Sequence, residues 1–95
     1  MTGLIPIDGA WSDDANGWVS EAITLTGDIW LEVELPERGR LVIKKAETED
    51  GPWPKALITP YTGPSFRIRI YGTAHVRYIQ VITSHTPTNI HYANI

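Results

Sequence analysis

Residues 29–35 read Ile29-Trp30-Leu31-Glu32-Val33-Glu34-Leu35, and this stretch decides the fold. Ile29, Leu31, Val33 and Leu35 are apolar, while Trp30, Glu32 and Glu34 stand between them. An extended strand turns successive side chains to opposite faces, so this alternation gives one face to a core and the other to water or a partner. Phe66, Ile68 and Ile70 repeat the pattern with Arg67 and Arg69 interleaved. The two outward faces therefore carry opposite charge.

Working outward from residue 29, Thr26, Gly27 and Asp28 predict a turn into this strand. Residues 19–25 alternate imperfectly, because Glu21 shares a face with Val19, Ile23 and Leu25. Pro36, Glu37, Arg38 and Gly39 predict a turn, with residues 40–46 returning as the hairpin partner. Residues 47–62 form the longest irregular region, carrying Gly51, Pro52, Pro54 and Pro60, with a short strand over 56–59. Gly63 and Pro64 lead into a strand over 65–71. Residues 76–83 are apolar on both faces and suit a central strand covered on both sides. A loop over 84–89 and a final edge strand over 90–94 complete the chain.

The first seventeen residues are rich in turn formers (Gly3, Pro6, Gly9, Asn16 and Gly17), so 1–17 is expected as an N-terminal arm or loop and 18–95 as the domain. About seven to eight short strands at close spacing predict an all-β fold, a single antiparallel β-sandwich of jelly-roll or Ig-like type.

The 95 residues suffice for one domain, and the net charge of −3 with no Lys/Arg run argues against a nucleic-acid partner. No apolar stretch approaches the ~20 residues that span a bilayer, so no membrane partner is expected. The opening residues lack a cationic region followed by a long apolar one. A soluble chain made in a cytoplasm, not secreted and complete from Met1, is the expectation. With no cysteine there is neither a disulfide framework nor thiolate chemistry.

No constellation in the sequence points to catalysis. His85 and His91 lie six apart, which is not a metal-ligand spacing, and His75 stands alone, so all three read as surface or turn histidines. Asp13 with Asp14, and Glu47 and Glu49 with Asp50, are acidic loops without the order of a calcium loop. Ser84 beside His85 reads as an accident of composition, because no Ser/His/Asp order or nucleophile elbow accompanies it. The expected protein is not an enzyme and has no catalytic residue, cofactor or metal.

Aromatic and charged side chains remain as candidates for recognition. Trp30 lies on the charged face of its strand, and Trp11, Trp18, Trp53 and Tyr61 lie in or beside loops. Such rings anchor protein interfaces or stack on sugars. Glu32 and Glu34 could face Arg67, Arg69 or Lys44 across neighbouring strands of one chain, or pair between subunits. The candidate interface set is Trp11, Trp18, Trp30, Trp53, Tyr61, Glu32, Glu34, Arg67 and Arg69.

The order Leu41-Val42-Ile43-Lys44, then the Asp50, Gly51, Trp53 turn, then Phe66-Arg67-Ile68-Arg69, then Val76-Arg77-Tyr78-Ile79-Gln80-Val81 resembles small β-sandwich proteins of bacteriophage virions. The resemblance covers about half the chain, and departs from the family pattern at Pro52, where a second glycine is usual, and at Trp53, which comes one residue early. It implies a non-enzymatic virion structural protein, a capsid decoration (cement) protein that binds the major capsid protein or another virion protein. Proteins of that group are often trimers and often carry a short N-terminal arm. A carbohydrate-binding module using exposed Trp and Tyr, and a phage tail or fibre adaptor, are the alternatives.

Overall fold

The computed structural model describes residues 5–49, 56–72 and 76–95, with residues 56–60 described as backbone. Among the described residues eight strands follow one another: β1 (Ile5–Pro6), β2 (Gly9–Ser12), β3 (Gly17–Ser20), β4 (Ile23–Thr24), β5 (Ile29–Ala46), β6 (Ala56–Ile70), β7 (Tyr78–Thr83) and β8 (Asn89–Asn94). All pairings are antiparallel, and the strands form one continuous eight-stranded sheet curled into a half-barrel.

β5 organises the sheet. Along one edge it pairs with β6 from Ile29↔Ile70 to Lys44↔Ala56. Along the other edge it pairs with β8 over Ile29–Glu34 and with β7 over Leu41–Ala46. β7 and β8 thus lie end to end beside one strand, separated by the loop over 84–88. β1 adds to β8, and β3 and β4 add to β7, with β2 outside β3.

The 18 residues of β5 would span about 61 Å if straight, at ~3.4 Å per residue. The molecule measures 33 × 31 × 21 Å, so the strand must bend. The largest register shift between β5 and β6 places the bend between Glu34 and Gly39, where residues 35–38 of β5 oppose Pro64 alone on β6, and smaller shifts follow between Leu41 and Ile43 and between Ile43 and Lys44. Pro36 and Gly39, expected as a turn, therefore do not reverse the chain. They form an irregular bulge, and residues 40–46 continue as the second half of the same strand rather than as a hairpin partner. Gly63 and Pro64 sit at the same level within β6, so the short strand expected over 56–59 and the one expected over 65–71 are a single element.

The core follows from the alternation. Ile29, Leu31, Val33, Leu41, Ile43, Ile70, Ile79 and Val81 are at most 1% exposed and pack in one cluster with Trp18, Ile23, Leu25 and Val76. Fully burying one such aliphatic side chain stabilises by about 1.5–3 kcal/mol. β7 is a central strand, paired on one edge with β5 and on the other with β3 and β4, but it is not covered on both faces as expected. Its outer face, Tyr78, Gln80 and Ile82, is only half-buried.

Three further sequence expectations are corrected. The stretch expected as an arm over 1–17 contributes β1 and β2 to the sheet in residues 5–12, because β8 and β3 offer it open edges. β8 is not an edge strand, since β1 pairs on its far side, extended by the Ile7 amide donating to the Ile90 carbonyl at 3.2 Å. Residues 19–25 are not one strand. The chain breaks at 21–22, which takes Glu21 off the core face into solvent, where its amide donates to the Asp8 carbonyl at 2.9 Å.

Close backbone approach is selective along the sheet. A Cβ on Gly17 would lie 2.5 Å from the Thr83 carbonyl oxygen, whereas one on Gly27 would meet nothing within 4 Å. Gly17→Ala is expected to push β3 from β7 and destabilise by about 1–3 kcal/mol. Gly27→Ala is expected to stay within about 0.5 kcal/mol of the parent. Urea denaturation of the two variants beside the parent measures the difference.

Candidate functional site

On the half-barrel's outer surface, the first half of β5 presents Trp30, Glu32 and Glu34 between β6 and β8. Register places Trp30 between Arg69 and Ala93, Glu32 between Arg67 and His91, and Glu34 between Ser65 and Asn89. Directly opposed residues share a face, so these side chains form a polar array three strands wide.

The array is tied together internally. Arg67 Nε lies 3.3 Å from Glu32 Oε1, and its guanidinium carbon stands 4.9 Å from the centre of the Trp30 ring. The other Glu32 oxygen meets His91 Nε2, while His91 Nδ1 lies 3.2 Å from Asn89 Oδ1. Arg69 donates through Nη2 to Asp28 Oδ2 at 3.1 Å and lies 5.2 Å from the Tyr71 ring centre. Asp28 Oδ1 accepts from the Gly72 amide at 3.2 Å, so one carboxylate fastens the turn before β5 to the end of β6. Both arginines are thus held by a carboxylate and an aromatic face together.

A depression of about 180 Å³ lies between Glu32, Glu34, Ser65, Arg67, Asn89 and His91. That is below the ~300–1,000 Å³ usual for small-molecule pockets, so the array works as a surface.

The expected candidates divide. Trp30, Glu32, Glu34, Arg67 and Arg69 come together on this face. Arg69 takes Asp28 rather than a glutamate, and Lys44 lies elsewhere, opposite Gln80 and Ala56. Trp18 belongs to the core at 6% exposure: it opposes buried Thr83, and its indole occupies the space a Cβ on Gly9 would need. Trp11 is 49% exposed on the edge strand β2, its Nε1 donating to Asp13 Oδ1 at 3.2 Å. Tyr61 is 46% exposed on β6. The pairings Trp11↔Trp18, Trp18↔Thr83, Leu41↔Thr83 and Leu41↔Tyr61 put Trp11 and Tyr61 at opposite ends of one row across the sheet. They do not form a joint platform. Trp53, with the Asp50-Gly51-Pro52-Trp53 turn, and His75 lie outside the described residues.

Sequence reasoning did not bring Asp28, Tyr71 or His91 to this face: Asp28 was read only as part of a turn and His91 only as a surface or turn histidine. Tyr71 had a signal, since residues 67, 69 and 71 share the outward spacing; Asp28 and His91 had none before register was known.

A second cluster lies at the bend. His85 Nε2 is 2.8 Å from Glu37 Oε1, and His85 Nδ1 is 3.1 Å from Ser84 Oγ. The juxtaposition read as accidental is therefore a carboxylate–imidazole–hydroxyl chain. Its serine oxygen also accepts the Arg40 amide at 2.8 Å, and the Ser84 amide donates back to the Arg40 carbonyl at 3.0 Å. The chain fastens the loop over 84–88 to β5 beside the bulge. Among the described residues no three His, Asp or Glu side chains converge to hold a metal ion, and no helix is long and apolar enough to cross a membrane.

A double-mutant cycle of Arg67→Met with Trp30→Leu should give a coupling of about 0.5–1 kcal/mol. The cycle of Arg67→Met with Glu32→Gln should give about 0.2–1 kcal/mol and shrink in high salt. Thermal denaturation at low and high sodium chloride separates the two terms. Comparison with protein-family models, curated proteins and solved structures finds no match.

Proposed function

We propose that this chain is a non-enzymatic structural protein of a virus particle, most simply a capsid decoration protein that attaches to the outer shell. The observation that carries the reading is the outer face of the first half of β5. There, Arg67 is held by Glu32 and Trp30, and Arg69 by Asp28 and Tyr71. Trp, Tyr and Arg carry most of the energy in protein interfaces, and side chains already held in place lose less entropy when a partner covers them.

The partner in this reading is the major capsid protein or another virion protein, with no nucleic acid and no membrane involved. The chain acts as a homo-oligomer, a trimer in the simplest case, so that many modest contacts operate together. Its curled sheet serves as a sandwich-type domain, the two arms of bent β5 supplying the two layers. The resemblance of residues 41–44, 66–69 and 76–81 to virion β-domains supports the choice of a viral partner over another assembly. A tail or fibre adaptor would use the same face on a different partner. The carbohydrate-binding reading is weakened by the burial of Trp18, the arginine over Trp30 and the separation of Trp11 from Tyr61.

The purified chain should sediment as an oligomer and co-sediment with expanded capsid shells of the virus whose genome carries it. Trp30→Ala with Arg67→Ala should weaken that binding at least about tenfold while circular dichroism stays unchanged, tenfold corresponding to ~1.4 kcal/mol. A monomer that ignores the shells would overturn the proposal. So would a glycan-array signal lost with Trp11→Ala, or labelling of Ser84 by a fluorophosphonate.

A further inference from the structure

Among the described residues, β6 pairs with β5 alone, which leaves its second edge open along the strand. Phe66 and Ile68 are only half-buried there, although they directly oppose Val33 and Leu31, which are 0% exposed. Among the described residues the core is thus covered on the β5 side and uncovered on the far side of β6. A groove of about 490 Å³ follows this edge past Tyr61, Ser65, Phe66, Arg67, Ile68 and Arg69.

We infer that residues 65–70 of β6 accept an added antiparallel strand from a partner protein, an extended segment in which apolar and acidic residues alternate. The backbone supplies the first requirement, because every second residue of an edge strand turns its N–H and C=O away from the sheet. Pro64, which has no N–H, limits the usable edge to the stretch after it. Side chains supply the second requirement. On an added strand, one set of residues would pack on Phe66 and Ile68, and the set between would stand beside Arg67 and Arg69. Arg67 has a side-chain exposure of 67% and meets Glu32 through Nε, and Arg69 has 41%.

The acidic character of the occupant follows from what β6 already pairs with. On its inner edge β5 offers Leu31 and Val33 inward and Glu32 outward against Arg67. A second strand of the same pattern meets the same chemistry from the other side. A second copy of β6 would instead bring two arginine rows together, and opposed like charges are unfavourable. This contact shares Arg67 and Arg69 with the face proposed to meet the shell, but it is made along the edge of the sheet and specifies a strand whatever protein carries it.

The test is titration of the ¹⁵N-labelled chain with a capped heptapeptide alternating valine and glutamate. Shifts should concentrate in the amides of residues 65–70, and those amides should gain protection from hydrogen exchange. A lysine-for-glutamate peptide should bind at least about tenfold more weakly, as expected for several reversed cross-strand charge pairs. Of two peptides N-methylated on alternate amides in opposite registers, one should lose binding and the other keep it. Arg67→Gln with Arg69→Gln should abolish the preference for glutamate over lysine while the spectrum stays folded. No shifts at millimolar peptide, equal binding of all four peptides, or shifts confined to the β2 edge would overturn the inference. So would a concentration-dependent dimer that already protects residues 65–70. The peptide result is independent of shell binding, so the two proposals can fail separately.

Discussion

The bend in β5 is the constraint on which the rest of the molecule depends. A strand too long for the domain must fold over, and once it does, its inward residues on either side of the bend share one core. Leu31 and Leu41 are both fully buried for this reason. The bend is set in all three long ribbons at one level: residues 35–38 in β5, Gly63 and Pro64 in β6, and the loop over 84–88 between β7 and β8. The loop clamps β5 on both sides of the bulge. Ser84 exchanges hydrogen bonds with Arg40, and the Thr88 amide and hydroxyl both donate to the Glu34 carbonyl, at 2.9 and 3.1 Å. Bulges increase bending and twist in an antiparallel pair, and aligning them across neighbouring strands turns a flat sheet into a half-barrel.

Much of the fold was legible because a period of two survives this bend. In β5 the inward residues are odd-numbered before the bulge and remain so through Leu41 and Ile43. Proline and glycine were legible as breaks, but not as reversals. They report where ladder pairing is interrupted, and whether the chain then turns back depends on which distant strand lies alongside. Here β6 accompanies β5 past the interruption, so no hairpin forms between its halves. β1, β2 and β4 have two to four residues each, too few to show a period, and they exist because neighbouring edges need partners. Tyr61 was illegible for a related reason. β6 changes face at Pro64, so the alternation read from Phe66 onward does not extend back to it.

The candidate face shows the same division. Alternation alone put Trp30, Glu32, Arg67 and Arg69 outward, and antiparallel register then made Glu32 and Arg67 neighbours. Alternation could not choose partners near a strand end, where Asp28 competes with the glutamates for Arg69 from a turn. Exposed ion pairs contribute only ~0–1 kcal/mol, so these contacts do little to hold the fold. Their effect is to fix the direction of two long cationic side chains, each of which would otherwise sample many rotamers. A face built this way suits recognition more than stability.

The two edges of β5 are covered unequally, and this sets what the domain can bind. One edge carries β7 and β8 and, beyond them, further strands that extend the sheet. The other carries β6 and, among the described strands, nothing beyond it. Natural sheets guard such edges with prolines and charges, and β6 has both in Pro64, Arg67 and Arg69. A guard made of one sign of charge is selective, because it repels a copy of itself and attracts an acidic strand. The residues that keep the half-barrel from pairing edge to edge thereby determine which strand can complete it.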